Sequence, residues 1–315
     1  MVSKKNYKML INGKWVNSSD KKRFDSLNPF TGDVWCSVPE ATIEDVDTAV
    51  NSAKNAFEKS KWALMTPSER GECLNKLANL LEKKSEFLGK IESLDTGKLY
   101  NETKWQAKYI AKFFRFFAGC ADKISGDTLP IDKKDLFVYT VRVPLGVIAA
   151  VVPWNSQLFL VAVKIAPALA AGNTIVLKCS EHASAPMLEF GKLIEKSGIP
   201  PGVVNIITGH ASPCGEALTS HPNISRISFT GGEEAAKKII INSVNNLAAI
   251  SLELGGKSPI IVFDDAEIES AINACMAGIF GASGQSCVAG SRLYIHEKLS
   301  EKFISKLIEK VKKIK

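Results

Sequence analysis

The chain has no long uninterrupted apolar run. Its most apolar region, 143–163, is broken by Pro144, Pro153, Asn155 and Gln157, so it falls short of the roughly 20 consecutive apolar residues that a spanning helix needs. An apolar signal core is also missing behind Met1-Val2-Ser3-Lys4-Lys5-Asn6, which gives no sign of secretion and points to the cytoplasm. The seven cysteines, at 36, 73, 120, 179, 214, 275 and 287, never fall in a CxxC spacing. A metal site is therefore not expected, and reduced thiols are, most of them as small apolar core residues. His182, His210, His221 and His296 stand apart in mostly polar surroundings, and none is assigned to catalysis.

The net charge of +7 raises the question of a nucleic-acid partner. The clusters Lys4-Lys5, Lys21-Lys22-Arg23 and 310–315 have no interleaved aromatics and no accompanying motif, so they read as solvated faces. The last of them suits a helix end, where cations complement the dipole. No repeat, low-complexity tract or flexible linker is present.

What remains is an ordinary globular composition, with 45% apolar and 23% charged residues over 315 positions, enough for one large or two ordinary domains. Thr66-Pro67-Ser68-Glu69 combines a capping hydroxyl, a proline at the first helical position and a glutamate three residues on. It predicts a helix with Leu74, Leu77 and Leu81 on one face. A second helix is predicted over 104–120, with Phe113, Phe114, Phe116 and Phe117 as core, and strand-like content follows over 137–143. From Gly146 strands and helices alternate: strands at 146–152, 174–178, 203–207 and 225–229, with helices reaching Ala171 and Lys196 and a short one near 213–220. This is the pattern of an open parallel α/β sheet. A second part begins near Gly255, with a strand at 259–263, a helix at 266–280 and another at 297–315.

Three segments carry chemistry. Glu253, in Leu252-Glu253-Leu254-Gly255-Gly256-Lys257, lies 34 residues before Cys287, in Gly284-Gln285-Ser286-Cys287. A thiolate attacks a carbonyl carbon, and a carboxylate can later draw a proton from water to release the acyl group. Gly284 and Gly290 would let the backbone approach a substrate, with the Cys287 amide donating to a developing oxyanion. Asn155, in Pro153-Trp154-Asn155 behind a buried apolar run, could be a second donor. Each has a plainer reading: Asn155 as a helix cap, Glu253 as a charged strand end, Glu181 as a surface helix start.

These segments, in this order, resemble the aldehyde dehydrogenase superfamily, which carries a Pro-Trp-Asn turn, a Glu-Leu-Gly-Gly-Lys segment and a Gly-Gln-x-Cys segment. Asn28-Pro29-Phe30-Thr31-Gly32 and 164–173 extend the likeness. The resemblance implies a Rossmann-like NAD-binding domain over 1–254, with an oligomerisation hairpin around 126–143, and the first part of an α/β catalytic domain over 255–315. It implies Cys287 as nucleophile, Asn155 in the oxyanion hole, Glu253 as general base and Lys164 in proton relay or at the edge of the site. Trp154, Lys178, Glu181, Gly231, Gly232 and Leu254 would line the cofactor. A carboxylate at Glu181 can accept from both ribose hydroxyls and repels a 2′-phosphate, which favours NAD over NADP.

Gly232 stands where the family commonly has serine, Ala236 where a glycine is common, and Cys179 replaces a usual proline. The substrate would be an aldehyde, with Gln157, Leu158, Phe159 and Phe280 suggesting an apolar entrance with one amide. Family members form homo-oligomers and continue well past Lys315, so an incomplete catalytic domain is expected. The alternative is a non-catalytic, NAD-binding or interaction form of the same fold.

Overall fold

The computed structural model describes residues 5–314. The segment 1–4 and Lys315, at the end of the last predicted helix, lie outside the described residues. Contacts divide the chain into a first unit ending at Glu253 and a second beginning at Leu254.

The first unit is organised around a seven-stranded sheet. Four of its strands are parallel neighbours, in the spatial order Ile224–Gly231, Val147–Val151, Thr174–Lys178, Val204–Ile207. Runs such as Val-Ile-Ala-Ala-Val and Thr-Ile-Val-Leu-Lys are buried almost throughout, as strands covered on both faces must be. Side chains alternate between two cores: Ile148 and Ala150 face one, Val147 and Ala149 the other. Val147–Val151 comes first in sequence; the next two strands extend the sheet to one side, and Ile224–Gly231 returns on the other. The order therefore reverses between these two neighbours, and in open α/β sheets ligands bind at the carboxyl ends of strands at such a switch point.

The sheet is mixed rather than wholly parallel. Met9–Ile11 and Lys14–Val16 add antiparallel strands beyond Val204–Ile207, and Ala249–Leu254 forms the opposite edge. A further sheet joins Lys5–Asn6, Val34–Pro39 and Arg23–Leu27. None of these amino-terminal strands was anticipated, since runs of two to six residues carry too little periodicity to register.

Helix Pro67–Lys83 starts on the Thr66–Glu69 capping box and buries Leu74, Leu77 and Leu81. Helix Tyr100–Cys120 corrects one expectation. Ala107, Ile110, Ala111, Phe114 and Ala118 recur at helical spacing and are buried, whereas Phe116 is 66% exposed. Four phenylalanines within five positions cannot share one helical face, so Phe113 and Phe117 flank the core and Phe116 points away from it. Of the 137–143 segment only Val138–Tyr139 is strand, paired antiparallel with Thr128–Leu129 in a largely exposed hairpin.

In the second unit Ser258–Val262 pairs in parallel with Gly290–Ile295, and helix Ile268–Phe280 connects them. A single turn, Glu297–Leu299, leads into helix Ser300–Val311, which ends before the predicted 315. The buried apolar core of this unit is Val262, Ile272, Cys275 and Phe303. No helix among the described residues is long and apolar enough to cross a membrane.

Candidate active site

At the switch point the chain leaves Val147–Val151 through Pro153-Trp154-Asn155-Ser156. The amide of Val152 still donates to Lys178 O at 3.2 Å, but Pro153 has no N–H to continue the ladder. Trp154 is exposed, Asn155 half-buried, and helix Gln157–Ala170 begins immediately after. The cap position belongs to Ser156, not Asn155, so capping does not explain the asparagine.

Two turns into that helix, Lys164 is buried on the sheet, its Nζ donating to Ser228 Oγ at 3.0 Å. Burial pulls its ammonium down to about 8, against the opposing charge of Glu253. Lys164 can thus give and take a proton near neutral pH. Glu253 itself is exposed at the carboxyl end of edge strand Ala249–Leu254. Gln157 and Leu158, expected at an entrance, are wholly buried, leaving half-buried Phe159 as the outward group of the three.

Lys178, Glu181, Gly231 and Gly232, predicted to line the cofactor, lie at or just past the ends of the two neighbouring strands. Lys178 ends its strand buried, with Nζ 3.0 Å from Cys179 O and 3.6 Å from Glu181 Oε2. Burial works to raise the Glu181 carboxyl, but its own backbone amide and the Lys178 ammonium outweigh this and hold it below the usual range. Glu181 is therefore a half-buried, ionised acceptor rather than a plain surface helix start, which lies four residues later at Ala185–Ile194.

Strand Ile224–Gly231 ends where helix Glu233–Asn242 begins, with Gly232 as a cap lacking any side-chain bond. The first amides of this helix are open to an anion. The two glycines differ. A Cβ on Gly231 would stand 2.4 Å from the Phe229 ring, whereas one on Gly232 would meet nothing within 4 Å.

In the second unit Cys287 is the exposed cysteine, the other six being buried or half-buried. Burial pushes the thiols of Cys36 and Cys179 well up, which keeps them protonated. Helix Ile268–Phe280 gives way to Ala282, Ser283 and Gly284, all left-handed at φ of 54°, 57° and 74°. Each L-residue there costs about 1–2 kcal/mol, and strain of this kind gathers at functional sites. Cys287 and Val288 then form the tip of a turn closed by Ala289 N to Ser286 O at 3.2 Å. The turn's bonds engage the amides of Val288 and Ala289 and leave that of Cys287 out. Gly290 has a packing reason instead of the expected substrate approach, since a Cβ would lie 2.3 Å from Ile260 Cδ1. Leu254, Gly255 and Gly256 are exposed at the start of this unit.

The family model of the aldehyde dehydrogenases matches residues 15–315. The chain belongs to the aldehyde dehydrogenase family. It is 53% identical over 309 residues to (Z)-2-((N-methylformamido)methylene)-5-hydroxybutyrolactone dehydrogenase of Acinetobacter baylyi, covering 98% of this chain and 63% of that one. It is 43% identical to rat cytosolic aldehyde dehydrogenase 1, over 97% of this chain and 62% of the relative. Among solved structures, the NAD+ complex of a Bacillus cereus aldehyde dehydrogenase superposes with a TM-score of 0.96 at 40% identity, over 99% of this chain and 63% of that one. A Staphylococcus aureus betaine aldehyde dehydrogenase bound to NAD+, with a BME-modified cysteine, gives 0.95 at 38% identity, over 98% and 62%. The chain thus spans under two thirds of these aldehyde dehydrogenases.

Sequence reasoning missed Glu92 and Lys98, which lie beneath the Asn155 turn with side chains 0% exposed. The available signal was Asp95-Thr96-Gly97-Lys98, a helix stop followed at once by a lysine.

Proposed function

We propose that this protein oxidises an aldehyde to a carboxylic acid with NAD, through covalent attachment to Cys287. The observation that carries the reading is the convergence at the sheet's switch point, where the Asn155 turn and the open helix start at Gly232 leave adjacent strands. The residues fit the dinucleotide. The uncapped helix of ten residues can hold a pyrophosphate, and the ionised Glu181 can accept from ribose hydroxyls while repelling a 2′-phosphate, which favours NAD over NADP. Trp154, Lys178, Gly231 and Leu254 complete the assigned cofactor set.

NAD, when bound, supplies a hydride acceptor. The Cys287 thiolate forms a C–S bond to the aldehyde carbon, and the Asn155 side-chain amide and the Cys287 backbone amide donate to the oxygen that gains charge. Lys164 holds an exchangeable proton at the edge of the site. Once the attached carbon has reached the thioester level, Glu253 takes a proton from water. The water oxygen bonds to that carbon, the C–S bond breaks, and acid and thiolate separate. We assign the protein to the cytoplasm and the largely exposed hairpin region around 126–143 to the joining of like copies.

The test is NADH formation by wild-type and Cys287→Ser protein with a panel of short and aromatic aldehydes, alongside calorimetry of NAD binding. Turnover lost on substitution supports the reading. Binding without turnover would instead support a non-catalytic NAD-binding form.

A further inference from the structure

A buried ion pair lies under the turn that carries Asn155, and the chemistry above does not use it. Helix Ser85–Thr96 stops at Gly97, whose φ of 74° turns the chain back and sends Lys98 inward. The Lys98 side chain is 0% exposed, and Glu92 beside it equally so. A buried ammonium has three donors and must satisfy each. Lys98 Nζ donates to Glu92 Oε1 at 3.0 Å, to Gln106 Oε1 at 2.9 Å and to Ser156 Oγ at 3.1 Å. Two of these acceptors come from packed helices, Ser85–Thr96 and Tyr100–Cys120; the third is the residue directly after Asn155. Burial raises the Glu92 carboxyl, and the Lys98 ammonium opposes it; Lys98 is the hydrogen-bond donor to Glu92 Oε1, while Oε2 has no partner among the described residues. Ser156 is therefore tied directly to one buried charge pair.

A plain fold-stapling role would not need this arrangement, since buried ion pairs are commonly replaceable by apolar residues with no loss of stability. What an apolar pair could not do is hold a hydroxyl at 156. Nor does the Ser156 side chain cap its own helix, as it makes no such bond.

We infer that Lys98, anchored by Glu92 and Gln106, is a positioning residue that fixes Ser156 and thereby the direction in which the Asn155 amide points. Its catalytic consequence rests on the role proposed above for Asn155; the geometric claim does not.

The experiment is NMR of the Asn155 side-chain amide in the full chain, assigned by its loss in Asn155→Asp, combined with kinetics. Ser156→Ala removes one of the three bonds and leaves the ion pair in place, so it stays folded if Lys98→Met does not. Ser156→Thr keeps the hydroxyl. Both Ser156→Ala and Lys98→Met are expected to shift or broaden the Asn155 signals, and Ser156→Thr to restore them. Cys287-dependent turnover should fall about tenfold in kcat with NAD affinity held within about twofold, because a misplacement of roughly 1 Å costs up to about a hundredfold in rate. Asn155 signals unmoved in folded Ser156→Ala, or moved equally in Ser156→Thr, would overturn the inference. If wild type shows no Cys287-dependent turnover, the proposed reaction fails while the NMR result still decides the positioning.

Discussion

The two units solve the problem of burial on different scales. The first packs a seven-stranded sheet between two extensive apolar clusters, so that strands such as Thr174–Lys178 are buried along their whole length. The second rests on two paired strands, two helices and a core of Val262, Ile272, Cys275 and Phe303. Small domains bury a smaller fraction of their surface and are correspondingly marginal, and a two-stranded sheet has little independent stability. The residues proposed for the cofactor, Leu254 apart, thus sit on the robust part, and the proposed nucleophile Cys287, three residues past the left-handed run 282–284, on the thin one. A reactive group needs exposure and a reversible approach, whereas a dinucleotide cradle needs fixed amides.

The sharpest way to break this comparison is Phe303→Ala. Phe303 is wholly buried, and truncating such a residue costs about 3–5 kcal/mol, comparable with the whole stability of a small domain. Amides in 258–262 and 290–295 should lose hydrogen-exchange protection while those in 147–151 keep theirs. Equal loss in both regions would dissolve the distinction.

A smaller effect tests the first unit's tolerance of a buried charge. Lys164 is lowered to about 8 by burial, from an ordinary value of 10.5. Between these limits the unfolded chain holds a proton that the folded chain has released, so the lysine's contribution to stability rises with pH and is lost as pH falls through 8. Comparing urea unfolding of wild type and Lys164→Met, the difference should move in wild type's favour by about 2 kcal/mol between pH 8 and pH 10. A flat difference would mean that the ammonium is not desolvated. Asp95 should show the reverse trend at acid pH. Burial lifts its carboxyl to about 6 despite bonds from Ser26, the Ala185 amide and Trp35, so its contribution to stability falls as pH rises through that value.

Much of this was legible in the chain. The alternating pattern from Gly146 located the central strands to within a residue or two, because fully buried parallel strands are short apolar runs between clear breakers. Thr66-Pro67-Ser68-Glu69 announced its helix because capping is local chemistry. The sheet's antiparallel edge was invisible, since Met9–Ile11 and Lys14–Val16 gain their identity from a distant partner. Phe116 misled because composition alone does not assign a face. Lys98 escaped notice because a lysine's burial depends on three acceptors, at 92, 106 and 156, that only folding gathers.

The adjacent glycines differ by the smallest energies. Gly231→Ala drives a methyl into the buried Phe229 ring and should cost about 1–3 kcal/mol, as overpacking does. Gly232→Ser, at an open cap position, should gain a few tenths of a kcal/mol. Thermal melts of the two variants should move in opposite directions.

The contrast between the two units, and NAD binding to the first, are both read by residue-resolved hydrogen exchange on the full chain with and without NAD. NAD should raise protection at 178–181 and 231–236, against an unliganded background in which 147–151 and 174–178 exchange far more slowly than 258–262. No change on adding NAD, or a second unit as protected as the first, would contradict this expectation.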